Sequence, residues 1–225
     1  MEEKGIFNNM LKIVVFDSGY GGEFFADYLG RELPIVEIIR VIDWRHANQI
    51  QNDPKSARQL AKEALRPYIG KVDLIIFANF LLAATSLKHF KRKYKNQNFI
   101  GLKLPSLNSS YPTFILTTKS LTKTINYYNY IFRIKCKTKT IILDTWPSKI
   151  DDGELTHNEI SQTLSTRIKE YPSNIVLACS QFYDIKGELK QILGKKVTIY
   201  DGFQNTFKEI CKILKIRGAS FKKVR

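Results

Sequence analysis

Residues 11–22 read LKIVVFDSGYGG, an apolar run followed at once by an acid, a hydroxyl and three glycines. Such a run, rich in β-branched residues, is typical of a strand buried on both faces of a parallel sheet. The glycines allow a tight turn and a close approach of the backbone to a ligand. The stretch predicts a buried strand that brings Asp17 and Ser18 to a sheet edge, where they bind a ligand or only cap the next helix.

The rest of the chain repeats this alternation of apolar runs and helix-length segments. Strands are predicted over residues 11–16, 36–42, 72–77, 99–104, 113–117, 140–143, 174–178 and 197–200. Helices are predicted over residues 54–69, 81–95, 119–132, 157–171, 185–193 and 204–215. This alternation predicts an α/β fold with doubly wound parallel sheets. The proline-flanked segment 105–112 (PSLNSSYP) divides it into two sets of similar size, which indicates two lobes facing one another.

The composition is that of a folded chain, because 44% of the 225 residues are hydrophobic. No apolar run reaches the roughly 20 residues that a membrane helix needs, and the first residues lack the apolar segment of a secretory signal. Cys136, Cys179 and Cys211 have no disulfide-framework spacing, so a reducing, cytoplasmic location is expected. No cysteine and histidine pair has metal-ligand spacing, and no metal site is expected.

The formal net charge of +15 is the strongest compositional signal. Lysine and arginine cluster in residues 89–95 (HFKRKYK), 133–139 (RIKCKTK) and 212–225. Such clusters favour nonspecific binding of a polyanion such as nucleic acid. A lysine-biased proteome explains the same charge, and no nucleic-acid-binding motif accompanies the clusters to favour the first explanation.

A second group of polar residues, in the segment NIVLACSQFYD, follows the strand predicted at 174–178. This strand delivers Cys179 to the first turn of a helix, where amide groups and the helix dipole lower the pKa of a thiol. Cys179 is therefore a candidate base or nucleophile, and the alternative is a small buried apolar residue. After the strand at 113–117, Thr118 and Ser120 are candidates to hold a carboxylate or to cap a helix.

A dinucleotide site is a competing interpretation of the first strand end. Gly19 and Gly21 follow that strand, and Asp43 ends the next one, where a ribose-binding acid would lie. However, Phe24 occupies the position of the third glycine, at which helix and strand must pack closely. The incomplete pattern disfavours this interpretation.

Taken in order, these segments resemble the cofactor-independent glutamate and aspartate-glutamate racemases. FDSGYGG, at residues 16–22, is similar to that family's FDSGVGG signature, and VLACSQFYD, at 176–184, is similar to its LGCTHYPL motif. Further matches in the family's order are IIFANFLLAAT (75–85), TTKSLTKTINY (117–127), DTWPSKIDDGEL (144–155) and VTIYDG (197–202). The chain resembles a divergent member of this superfamily.

The resemblance implies two pseudo-symmetric, doubly wound parallel-sheet lobes with a cleft between them. The first lobe would comprise residues 10–107 plus 203–225, and the second residues 108–202. Members of the family invert an amino acid with two cysteines that act from opposite faces of the substrate, without pyridoxal phosphate or another cofactor. The implied ligand is a small amino acid or dicarboxylate in the cleft. The resemblance leaves open whether the chain forms a homodimer, and it implies no membrane partner.

Carried over by position, the resemblance assigns catalytic roles to Cys179, as the second cysteine, and to Asp17, as the N-terminal acid. The positions assigned to substrate binding are Ser18, Asn79, Thr118, Ser180 and Gln181. Asn79 stands where the first catalytic cysteine belongs, and an amide cannot act as a base at neutral pH. Gln181 replaces the histidine that assists the second cysteine. Three further polar family positions are apolar here, namely Phe80, Leu81 and Leu121.

Three functions stay open on the sequence alone. The first is amino-acid racemisation, which requires another group to replace Asn79. The second is a lyase reaction in which Cys179 alone protonates one face of a carbanion, as in the family's aryl-malonate decarboxylases. The third is a non-catalytic member that binds a small carboxylate or a partner. Each lost hydrogen bond to a charged group costs about 1.5–3 kcal/mol, which disfavours recognition of glutamate itself.

Overall fold

The centre of the protein is a pair of parallel sheets, described in a computed structural model over residues 10–104, 107, 111–124, 138–168 and 174–216. The first sheet contains β1 (Leu11–Asp17), β2 (Val36–Ile42), β3 (Leu74–Phe77) and β4 (Phe99–Gly101). The second sheet contains β5 (Thr113–Thr117), β6 (Thr138–Ile142), β7 (Asn174–Leu177) and β8 (Thr198–Tyr200). The strand orders are β2-β1-β3-β4 and β6-β5-β7-β8, so both lobes have the same topology.

Helices connect the strands and cover the sheets. Those that precede β4 are α1 (Tyr20–Glu32), α2 (Ala47–Asn52), α3 (Pro54–Leu65) and α4 (Phe80–Lys93). Those that follow are α5 (Lys119–Thr122), α6 (Trp146–Asp151), α7 (His157–Arg167), α8 (Lys186–Leu193) and α9 (Phe203–Ile213). Short 3-10 turns lie at Trp44–His46 and Gln181–Tyr183. The predicted α/β class with two parallel-sheet lobes is confirmed.

The predicted strands all occur, with ends shifted by at most three residues. The helix predicted over 54–69 ends earlier, at Leu65, where the chain leaves the helix before Pro67. The six-residue helices α2 and α6 were not predicted, because a helical period does not show in so short a segment. The linker at 105–112 and the helix at 119–132 lie largely outside the described residues.

The interior strand β1 explains why the first lobe is stable. Ile13, Val14, Val15 and Phe16 are completely buried, as expected when helices cover both faces of a parallel sheet. Helix α9 contributes to the same hydrophobic core, and the ring centroids of Phe203 and Phe25 are 4.8 Å apart. The proposed lobe limits at residues 107/108 and 202/203 remain a prediction.

Candidate active site

A cavity of about 140 Å³ lies between the two lobes, at the carboxyl ends of strands β1, β3, β5 and β7. Its lining consists of Ser18, Ala47, Ile50, Asn79, Phe80, Leu81, Thr118, Leu121, Pro147, Ser148, Asp151, Ala178, Cys179, Ser180 and Gln181. A cavity of ~150 Å³ holds one benzene molecule, so this space admits one small ligand. Phe80 and Leu121 form part of the wall and leave the space open.

The structure brings the predicted site residues together at this cavity, with one exception. The five residues assigned to substrate binding line it, and so does Cys179. Asp17 does not line the cavity, because its side chain is completely buried behind Asn79 and Ser180. The edge at which the parallel topology predicts ligand binding therefore forms the cavity, while the Asp17 side chain lies behind the residues that line it.

The Asp17 carboxyl joins the two lobes. Its Oδ1 accepts hydrogen bonds from the Ser18 backbone N–H (2.6 Å) and from Asn79 Nδ2 (3.0 Å). Its Oδ2 accepts from Ser180 Oγ (3.2 Å), on the second lobe. Burial raises the pKa of Asp17 to about 7, although all three hydrogen bonds lower it. Near neutral pH this carboxyl is partly protonated.

Asn79 is held by hydrogen bonds on both ends of its amide. Its Oδ1 caps helix α4 by accepting from the backbone N–H groups of Leu81 (2.9 Å) and Leu82 (3.1 Å). Its Nδ2 donates to Asp17 Oδ1 (3.0 Å) and lies 3.4 Å from Ser18 Oγ. The side chain is thus fixed as a structural cap at the end of β3.

Cys179 presents a protonated thiol. Its Sγ donates to Gln181 Oε1 at 3.1 Å, and burial raises the pKa of the thiol to about 12. The expectation of a lowered pKa was wrong. The N–H groups of Gln181 and Phe182 do lower the pKa, but they belong to a three-residue 3-10 turn whose few peptide dipoles do not offset burial.

Asp151, on α6, is a cavity residue that the sequence interpretation did not single out. Its carboxyl accepts hydrogen bonds from the Gln181 side chain and from the Tyr20 backbone, and burial raises its pKa to about 6. Its Oδ1 is buried and has no hydrogen-bond partner among the described residues. The only available signal was the match of segment 144–155 to the family, since α6 is too short to show a pattern.

The lobes approach closely beside the cavity. A Cβ atom added at Gly21, in the first turn of α1, would lie 2.1 Å from Ser180 Oγ and 2.9 Å from the Ser180 backbone carbon. A Cβ atom at Gly19 would lie 2.7 Å from Gln181 Nε2. Gly21 is therefore required where the lobes meet, which is a reason for FDSGYGG besides ligand binding, whereas a Cβ atom at Gly19 would have to displace only the end of the Gln181 side chain.

The electrostatic character of the cavity is acidic. Asp151 lines it, and no lysine or arginine is among the lining residues that the structure describes. Across the part of the chain that the structure describes, no group of histidine, cysteine and acidic side chains could hold a metal ion. In the same part, no helix is long and apolar enough to cross a membrane.

The two-lobe fold is that of the racemases. The structure superposes on Escherichia coli glutamate racemase, solved with L-glutamate and the activator UDP-MurNAc-Ala, with a TM-score of 0.76 and 19% identity over 92% of this chain and 83% of that one. An aspartate racemase from Picrophilus torridus gives a TM-score of 0.62 and 11% identity over 90% of this chain and 93% of that one.

Curated sequences agree with the structures. Glutamate racemase of Clostridium perfringens strain SM101 is 24% identical over 207 residues, which cover 87% of this chain and 80% of the relative. No family model matches the chain. Together, the relatives and the solved structures support the glutamate and aspartate racemase superfamily for this protein, and the resemblance derived from the motifs is confirmed.

Proposed function

We propose that this chain binds a small amino acid or dicarboxylate in the inter-lobe cavity and does not racemise it. The observation that carries the proposal is the position of Asn79, whose oxygen caps α4 and whose nitrogen donates to Asp17. Stereoinversion by two bases needs a proton acceptor on each face of the α-carbon. An amide accepts no proton at neutral pH, so Asn79, at the end of β3, cannot be the proton acceptor on its side of the cavity.

The state of Cys179 supports the same proposal. A thiol with a pKa of about 12 is protonated at neutral pH, and it is already donating to Gln181 Oε1. Such a group is a proton donor and a poor proton acceptor. The remaining polar lining residues can still bind a carboxylate and an ammonium group. The glutamate in the structure of the E. coli enzyme makes glutamate the first ligand to test.

Proton exchange and binding, measured side by side, test the proposal. We expect L- and D-glutamate and L- and D-aspartate to keep their α-protons in D₂O at high protein concentration, as followed by NMR. At least one of these ligands or a dicarboxylate should bind in calorimetry. Exchange at the α-carbon would contradict the non-racemising function, and Cys179→Ser would then show whether the thiol is responsible. Absence of binding by every ligand would contradict the binding function.

A second candidate is a lyase that uses one thiol. The specific observation in its favour is a proton donor, Cys179, in a cavity partly walled by Phe80, Leu81 and Leu121. Breaking the C–C bond of a malonate with an apolar substituent would release CO₂ and leave a carbanion. The thiol would protonate that carbanion, and the thiolate would regain a proton from water. Decarboxylation of phenylmalonate that disappears in Cys179→Ser would support this candidate.

The net charge supports a separate binding proposal. Arg58 and Lys62 on α3 lie close to His89, Arg92 and Lys93 on α4. Desolvation lowers the pKa of His89, and the surrounding positive charges lower it further. We call these five residues the basic surface and propose that it binds polyanions nonspecifically. The homodimer and the cytoplasmic location remain predictions.

A further inference from the structure

Acidic groups lie in or beside the inter-lobe cavity, and no cationic side chain lines it over the described ranges of the chain. Asp151 lines it, and Asp17 is hydrogen-bonded to two lining residues, Asn79 and Ser180. The described part of the lining includes no lysine or arginine. A ligand that carries two carboxylates would therefore enter without a cationic side chain to offset its charge.

Asp151 has a hydrogen-bonding capacity that the protein does not fill. Its carboxyl accepts from Gln181 and from the Tyr20 backbone, while Oδ1 is buried and lacks a partner among the described residues. Oδ1 is shielded from the cavity, but Asp151 lines the cavity, and no lysine or arginine does so among the described residues. An ammonium group placed against this carboxyl group would form a charge-assisted hydrogen bond. The observation points to a ligand that donates from a cationic nitrogen.

Another part of the lining is apolar. The side chains that form it are Ile50, Phe80, Leu81 and Leu121, all less than a tenth exposed. A carboxylate side chain packed against them would lose water without gaining a hydrogen-bond donor, whereas an aliphatic side chain would gain from burial. The hydroxyls of Ser18 and Thr118 are available for a single α-carboxylate.

We infer that the cavity prefers a small α-amino acid with an apolar side chain, its ammonium group bound by Asp151, over glutamate and aspartate. This inference rests on the proposed binding function, because it names the ligand class of the same cavity. Valine is a suitable probe, since it has an ammonium, one carboxylate and a compact aliphatic side chain. Isovalerate, which is valine without its amine, isolates the contribution of Asp151.

Calorimetry on the full chain tests the inference with L- and D-valine, L- and D-glutamate, and isovalerate. We expect one enantiomer of valine to bind at least about tenfold more tightly than glutamate and than isovalerate, because a hydrogen bond to a charged group has this size. Asp151→Asn should weaken valine binding by about tenfold or more and should not weaken isovalerate binding. Asp152→Asn, which changes the adjacent exposed carboxylate, is the matched control and should bind as the wild type does.

The outcomes separate the inference from the proposed function. Glutamate binding as tightly as valine, or isovalerate binding as tightly as valine, overturns the inference and leaves the binding function in place. No binding by any of the five ligands overturns both. The wild-type comparison of valine with isovalerate decides the question even if Asp151→Asn does not fold, which a thermal melt would reveal.

Discussion

Asp17 is the residue that most affects both the fold and the candidate site. It ends the buried strand β1, and its carboxyl receives hydrogen bonds from Asn79 in the first lobe and from Ser180 in the second. The sequence predicted that Asp17 lies at a ligand-binding edge of the sheet. Because its side chain is buried, Asp17 instead holds two residues of the cavity wall, Asn79 and Ser180, in position. Because the Asp17 carboxyl accepts hydrogen bonds from both lobes, its protonation changes the hydrogen bonds between them.

The stability of the protein should depend on pH through Asp17. This carboxyl binds its proton more tightly in the folded chain, where the pKa is about 7, than in the unfolded chain, where it is 3.8. The folded state therefore binds more protons between these values, and the contribution of Asp17 to stability falls as the pH rises through this window. Asp17→Asn should reduce the fall, because the amide has no charge, its oxygen still accepts from Ser18 and Asn79, and its nitrogen can donate to the Ser180 hydroxyl. The part of the fall that remains is expected from Asp151, whose pKa burial raises to about 6. Urea unfolding at about pH 5 and about pH 8 measures the fall.

Two further variants test the assignment to Asp17. Asp17→Ala removes the carboxyl that accepts from the Ser18 N–H and from Asn79, and it should destabilise the protein by about 1–3 kcal/mol at about pH 5 and by less at about pH 8. Asp152→Asn, on the surface, should keep the pH dependence of the wild type. A pH dependence in Asp17→Asn as large as that of the wild type would assign it to another group.

At the residue scale, the sequence predicted positions better than protonation states. Asp17, Ser18 and Cys179 follow buried strands, and parallel topology brings such residues to one edge. The pKa of Cys179 could not be predicted, since it depends on how deeply the thiol is buried and on a turn of three residues. Asp151 could not be predicted either, because its importance comes from the cavity and not from a local pattern.

Helix α1 contains one glycine that has no room for a side chain and another that has room for one. Gly21 faces the second lobe, and a Cβ atom there would lie 2.1 Å from Ser180 Oγ. Gly30, later in the same helix, is exposed and has no atom within 4 Å of a Cβ position among the described residues. Substitutions at these two glycines therefore separate two effects, the contact between the lobes and helix propensity.

Alanine substitutions in α1 should have opposite effects. Gly21→Ala must displace Ser180 and should destabilise the protein by about 1–3 kcal/mol, as overpacking does. Gly30→Ala should stabilise it by about 0.5–1 kcal/mol, because alanine favours the helix. Chemical unfolding of both variants measures the difference. Equal effects would mean that α1 does not pack against the second lobe as the structure describes.

At the element scale, the apolar runs identified the strands because burial on both faces leaves a continuous pattern. Strand β1 and the strands of the second sheet were predicted to within a few residues for this reason. The helices α2 and α6 were missed, and α6 carries Asp151 into the cavity. Short helices are held by their tertiary contacts, which a sequence pattern does not display.

The molecule as a whole consists of two sheets with one strand order and a cavity where their carboxyl ends meet. The alternation of strands and helices was sufficient to predict this class, because such an alternation allows few other packings. Whether the cavity is open could not be predicted, since Phe80 and Leu121 fit a wall as well as a plug. The net charge of +15 is a second property of the whole molecule.

The basic surface predicts salt-dependent binding of nucleic acid. We expect a fluorescent single-stranded oligonucleotide to bind at low salt, with an affinity that falls steeply as salt rises. The double variant Arg92→Glu and Lys93→Glu should reduce the salt slope by about 1.4, because each lost phosphate contact on a single strand lowers it by about 0.7. The double variant Lys195→Glu and Lys196→Glu changes the net charge equally at exposed positions of the second lobe and is the control. If both double variants lose the same affinity for the oligonucleotide, the binding does not depend on the basic surface.

The Asp17 carboxyl also determines the direction in which hydrogen bonds run between the lobes. A carboxylate only accepts, but a carboxylic acid donates through one oxygen. With a pKa of about 7, both forms are populated near neutral pH. When Oδ2 carries the proton, it donates a hydrogen bond to the Ser180 hydroxyl. That hydroxyl then donates to Gln181 Oε1, the oxygen that also accepts from Cys179. Protonation of Asp17 thus reverses the hydrogen bond that joins the two lobes, while the Cys179 thiol donates to Gln181 Oε1 in both states.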